Sequence, residues 1–216
     1  MRLHNIEDQK SLTPLLALSF LKEGNQRFVN NLKANRNLLE QVNETKNGQF
    51  PFAVILSCID SRTSAELIFD QGLGDIFSIR VAGNVVSDDV IGSMEFACKL
   101  AGSKLIVVLG HSKCGAITGA CKKVKLGHLT NLLDKVSPSI EYVKEHYNDT
   151  DLSSIEGINL VASMHVEHTI GEILDKSQIL RDMYEKGEIG VLGAFYNVET
   201  GEVDFIKTMF LENSTV

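Results

Sequence analysis

The chain has no tryptophan, only four cysteines, no surplus of basic residues and no apolar run near the ~18 residues of a membrane helix. Each shortage removes a class of function. The stretch Leu15 to Leu21 is short, is broken by Ser19, and follows Glu7, Asp8 and Lys10 rather than a basic segment. This argues against both a membrane span and a secretory leader. Cys58, Cys98, Cys114 and Cys121 are too few and too irregularly spaced to staple 216 residues by disulfides, so their thiols are expected free or metal-bound in a reducing cytoplasm. With 28 acidic against 21 basic residues and a net charge of −7, neither nucleic acid nor an anionic membrane is expected as the main partner. Lys122, Lys123 and Lys125 read as a solvated helix face. No internal repeat or low-complexity segment is visible.

What is present suits one packed domain over residues 1–216, since 44% of the residues are hydrophobic and 23% charged. Apolar residues at Leu15, Leu18, Leu21 and Phe28 recur near helical period, with Ser11 and Pro14 suited to a helix start. They predict a helical arm within residues 1–48, and the segment from Lys33 to Gln49, which leads into the core, reads as loop with a further helical turn. The α/β core then runs from 49 to 216. Phe52 to Cys58, Asp75 to Val81 and Lys104 to Gly110 are apolar strands. Helices are expected over Val85 to Leu100, Ala116 to Lys125, Leu129 to Tyr147 and Ile158 to Leu174. Ile189 to Val198 and Val203 to Met209, separated by Glu199-Thr200-Gly201-Glu202, read as an antiparallel hairpin. Strands that alternate with helices predict a mostly parallel sheet of about five strands, the last antiparallel, covered on both faces.

The chemistry concentrates at two strand ends. Cys58-Ile59-Asp60-Ser61-Arg62 places a thiol, a carboxylate and a guanidinium in one turn after the first strand. Gly110-His111-Ser112-Lys113-Cys114-Gly115 ends the third strand in the same way. In an open parallel sheet the crevice lies beyond the carboxyl ends of strands where connections diverge, so Cys58, His111 and Cys114 converge if the first and third strands are neighbours. Two thiolates and one imidazole suit Zn²⁺, and three protein ligands leave a fourth position for water or substrate. Asp60 then sits near that position, held by Arg62.

These residues resemble the β-class carbonic anhydrases, over nearly the whole chain from about Leu21 to Phe210. Glu23-Gly24-Asn25-x-Arg27-Phe28 is similar to the family's N-terminal arm, and Arg80-x-Ala82-Gly83-Asn84 to its Arg-Asn-x-Ala-Asn segment, with variation. The resemblance implies one Zn²⁺ per chain on Cys58, His111 and Cys114, with Asp60 and Arg62 as the catalytic dyad; should Arg62 lose its grip at low pH, Asp60 is expected to swing onto zinc as a fourth ligand and close the site. It implies reversible hydration of carbon dioxide to bicarbonate and a proton, and a homodimer, with a dimer of dimers as the larger assembly, that exchanges N-terminal helices. Gln49 matches the glutamine that plant-type members offer to substrate from across the dimer interface. Phe77, Ala82 and Gly115 complete the implied substrate pocket. Two departures stand out: Phe96 replaces a pocket Tyr and Ala82 a Val. Relatives regulated by a second bicarbonate site carry a Trp where this chain has Ile55, although Arg80 matches that site's arginine. Because two thiolates cancel the charge of Zn²⁺, activity is expected to rise toward alkaline pH.

Rival readings lack their signatures. Gly72-Leu73-Gly74-Asp75 has no third glycine for a dinucleotide site. His165-Val166-Glu167 is followed by no Pro-Cys-x-x-Cys, as a zinc deaminase requires. A thiol nucleophile at Cys58 lacks a phosphate-cradling loop. A structural zinc module lacks a fourth ligand, and Cys98 and Cys121 read as small core residues. His165 and His168 share a helix face and could hold a metal. Relatives with the same ligands that hydrolyse CS₂ or COS are the nearest alternative.

Overall fold

The computed structural model describes residues 6–209; Phe210, where the resemblance ends, lies outside them. The N-terminal part is helical: α1 (Ile6–Ser11), α2 (Pro14–Val29) and α3 (Leu38–Thr45). Ser11 closes α1 rather than opening the next helix. Thr13 is the cap of α2, its hydroxyl accepting the Leu16 N–H at 3.2 Å, with Pro14 in the first turn where its missing N–H costs nothing. The stretch read as loop with a helical turn contains α3, capped in the same way by Asn37.

Five strands follow: β1 (Ala53–Ser57), β2 (Ile76–Arg80), β3 (Leu105–His111), β4 (Gly190–Tyr196) and β5 (Val203–Met209). They form one sheet in the order β2-β1-β3-β4-β5, parallel except for the β4–β5 pair. After β1 the chain passes through α4 (Ala65–Ile68) to β2 on one side. It then crosses back through α5 (Asp88–Glu95) to β3 on the other. The carboxyl ends of β1 and β3 are therefore the switch point that the motifs required.

Strand alternation sorts the core into two layers. Ala53, Ile55, Leu105, Val107, Leu192 and Ala194 pack under α2 and α4, whereas Val54, Leu56, Ile106, Val108 and Val191 face α5, α9 (Ile155–Lys176) and α10 (Gln178–Glu185). Every residue of β1 and β3 is buried, as strands covered on both faces must be. A third apolar cluster caps the carboxyl ends of the strands. It joins Cys58 and Cys114 to Ile117 of α6 (Gly115–Cys121), Leu133 of α7 (Gly127–Asp134), Val143 of α8 (Ser137–His146) and Ile158 and Val161 of α9.

Candidate metal centre

β1 and β3 are aligned Ser57 to Leu109, so Cys58 and His111 leave adjacent strands at nearly the same level. The turn after β3 brings Cys114 back as the residue that precedes α6. The Cys58 and Cys114 sulfurs lie 4.0 Å apart, and the ligand atoms of Cys58, His111 and Cys114 all lie within 4.8 Å of one another. All three residues are buried.

Three features of this cluster suit a soft cation. His111 Nδ1 lies 3.0 Å from the Ser112 carbonyl, which accepts only from a protonated nitrogen, so Nε2 carries the lone pair. That Nε2 is buried and meets no hydrogen-bond partner. The Cys114 hydrogen bond draws the Cys58 thiol down to about 4 against the opposing effect of burial, with help from His111 and from the Gly83 N–H at 3.4 Å. The same contact pushes Cys114 upward, so the sulfurs hold one proton between them unless a cation replaces it.

Asp60 is clasped by Arg62. Its carboxylate receives Arg62 Nε at 2.9 Å and the guanidinium NH2 at 2.8 Å, together with the Arg62 backbone N–H at 3.0 Å. This bidentate clasp holds the Asp60 carboxyl far below the usual carboxylate range. The turn beneath it is tied down at its carbonyls. Arg80, at the end of β2, donates to the carbonyls of Cys58 (3.1 Å) and Asp60 (2.6 Å), and Thr63 Oγ1 donates to the same two. Arg80 thus serves as a brace of the metal turn, and Ile55 is wholly buried in the sheet.

The residues that the resemblance assigns to a substrate pocket divide. Ala82 and Gly115 adjoin the cluster: Ala82 begins the short 3-10 turn whose Gly83 contacts Cys58, and Gly115 follows Cys114. Gln49 and Phe77 do not. Gln49 precedes β1 and packs its Cβ near Gly74, ahead of β2, and Phe77 pairs with Val54 near the amino end of β1. Five strand residues, roughly 17 Å at ~3.3 Å each, separate that end from the metal cluster. Phe77 meets Phe96 edge to face there, with ring centroids 6.1 Å apart.

Residues not singled out from sequence also shape the centre. Tyr196 is aligned with His111 across β3–β4, and its phenol lies in the field of Asp60 and Arg62. Burial pushes that phenol's pKa up. Ser112 is held by the β4–β5 turn: its N–H donates to the Tyr196 carbonyl and its hydroxyl accepts the Val198 N–H, both at 3.0 Å. None of these partners has a local motif; only strand register reveals them.

Fold and site together define an α/β protein with a Cys-His-Cys cluster able to hold a metal at its switch point, followed two residues after Cys58 by an Asp–Arg ion pair. The family model described as "Carbonic anhydrase" matches residues 53–203. Carbonic anhydrase 2 of Mycobacterium tuberculosis is 33% identical over 196 residues, covering 87% of this chain and 90% of its own. Among solved structures, the β-carbonic anhydrase CcaA superposes with a TM-score of 0.69 at 27% identity, covering 86% of this chain and 93% of that one. CafA of Aspergillus fumigatus gives 0.68 at 27%, covering 88% and 89%. The chain belongs to the carbonic anhydrase family, in its β class, and is an enzyme of that kind. No helix among the described residues is long and apolar enough to cross a membrane.

Proposed function

We propose that the chain binds one Zn²⁺ through Cys58, His111 and Cys114 and catalyses reversible hydration of carbon dioxide to bicarbonate and a proton. The observation that carries this reading is the convergence of two sulfurs and an unpartnered imidazole nitrogen beside an ionised Asp60. Zinc supplies the Lewis acidity that makes hydroxide available from water near neutral pH. Asp60, ionised throughout the neutral range, accepts a hydrogen bond from the attacking oxygen and aims its lone pair at the carbon of CO₂. Arg62 keeps that carboxylate charged and fixed in orientation.

Gln49 and Phe77 stand at the opposite end of β1 from their own chain's Cys58. We take this placement to support a homodimer in which a second copy supplies them. The arm supports it, exposing Leu15, Leu16, Leu32, Leu38, Leu39 and Val42, with Leu39 at 81%. We take residues 1–216 as one folding unit that works in a reducing cytoplasm, where Cys58 and Cys114 stay available as thiolates. Stopped-flow CO₂ hydration by the zinc-loaded protein tests the reading. Cys58→Ser is expected to lower the rate on the order of 10²-fold or more, since it removes a ligand. An unchanged rate would overturn it, and carbonyl sulfide in the same assay separates the sulfur-substrate alternative.

A further inference from the structure

We propose that Asn159 is the positioning residue of the metal-ligand turn, its carboxamide oxygen holding Lys113 in the left-handed conformation that sets His111 against Cys114. The proposal rests on the zinc reading above and concerns a residue outside both ligand motifs.

His111 and Cys114 are separated by two residues, so the shape of Ser112-Lys113 decides where both ligand atoms fall. Lys113 has φ of +56°, a conformation that a Cβ-bearing residue keeps only when its surroundings enforce it. Ser112 is enforced from the β4–β5 turn by the Tyr196 carbonyl and the Val198 N–H. The Lys113 side chain pairs with Glu199 at 2.8 Å, but both partners are substantially solvated, so the pair contributes little. Asn159, also at the surface, differs in holding the Lys113 backbone rather than its side chain. Its Oδ1 accepts the Lys113 N–H at 2.8 Å from 46 residues away, on the first turns of α9. Among the described residues this is the hydrogen bond that reaches the Lys113 backbone from outside the turn.

Asn159 is itself on a rigid base. Its neighbour Ile158, and Val161 a turn further on, pack in the same cluster as Cys58 and Cys114. Ser154 caps the helix start, accepting the Gly157 N–H at 3.0 Å. A Cβ on Gly157 would fall 2.1 Å from the Asp151 carbonyl, so the start of α9 sits hard against the preceding loop. Zinc tolerates ligand displacements of only about 0.2 Å, and outer partners of ligands are worth about 10- to 100-fold in metal affinity. Asn159 acts on the peptide between two ligands, where such displacement originates.

The test is the rate at which zinc-loaded protein surrenders its metal to a chelator, measured beside urea unfolding of the metal-free forms. Asn159→Leu, which removes the acceptor, is expected to speed zinc loss about 10- to 100-fold with little change in metal-free stability. Asn159→Asp, which keeps an oxygen at the same position, should stay within about threefold of the parent. Equal zinc loss from all three proteins would overturn the proposal, as would an Asp variant as leaky as the Leu variant. Should Asn159→Leu fail to fold, hydrogen exchange of the Lys113 amide in the parent decides: slowing of about tenfold or more supports the contact, and exchange at the unprotected rate overturns it. A parent that takes up no zinc sinks the zinc reading instead, and the amide measurement, made without metal, still judges the contact.

Discussion

His165 shows what burial does to a single titratable group. It is 3% exposed on α9, and its Nδ1 and that of His168 both face the Ser139 hydroxyl of α8, at 3.1 and 2.9 Å. One ring accepts the hydroxyl proton and the other donates to its oxygen, so the pair that could have chelated a metal is instead tied to a serine. Burial lowers the His165 pKa from 6.5 to about 4; His168 adds to the effect, and Glu172 and the Gly83 backbone oppose it. The unfolded chain binds a proton near pH 6.5 that the folded one refuses until about pH 4. This stability is therefore complete above pH 6.5 and is lost as pH falls toward 4, by about 3 kcal/mol in all. Urea unfolding from pH 7.5 to 4.5 should show this loss in the parent and a shallower one in His165→Asn; parallel curves would refute the assignment. Cys58, Asp60, Arg62, His111 and Cys114 were legible in the sequence because each motif is continuous and its chemistry local. Tyr196, Arg80 as a brace and Asn159 were not, because strand register and helix packing bring them in from 22 to 85 residues away.

Elements differ in how openly the sequence announces them. β1 and β3 were plain as short apolar runs, since strands covered on both faces need no alternation. The helix expected over Leu129 to Tyr147 is two helices, α7 and α8, and Pro138 falls in the first turn of α8 where it starts a helix rather than continuing one. Val85 to Leu100 begins as α5 and widens to a π-turn over Phe96–Leu100. α10 went unread because Ser177 both ends α9 and caps α10, its hydroxyl accepting the Leu180 N–H at 3.1 Å. The lysines placed on a helix face lie just past the end of α6, exposed, with Lys123 at φ +54°. Packing of α2 on α4 hinges on Gly24, where a Cβ would stand 1.8 Å from the Phe69 carbonyl oxygen. Gly24→Ala should destabilise by roughly 2 kcal/mol, a fall of about 4–8 °C in Tm. Gly171→Ala on α9, where a Cβ meets nothing within 4 Å, should instead raise stability by about 0.4–1 kcal/mol. Calorimetry of the two variants checks both signs, and a neutral Gly24→Ala would refute the packing argument.

Across the whole molecule, the arm is fastened as well as exposed. Asp70, buried just past the end of α4, receives Arg27 at 2.6 Å and also Arg36, and Asn25 joins Ile68, Gly201 and Val203. These contacts pin the arm at its base while Leu38, Leu39 and Val42 of α3 stay exposed. The position of Gln49 and Phe77 then has a genetic reading. If each catalytic pocket draws its metal turn from one subunit and its substrate wall from the other, two different lesions fall in separate halves of the same centre. Cys58→Ser and Gln49→Leu should each be defective as pure dimers. Unfolded together and refolded as an equal mixture, half of the dimers are mixed, and each mixed dimer carries one intact centre. About a quarter of the parental activity should therefore reappear from two inactive preparations. Recovery confined to the sum of the separate residues of activity would mean that every subunit works alone.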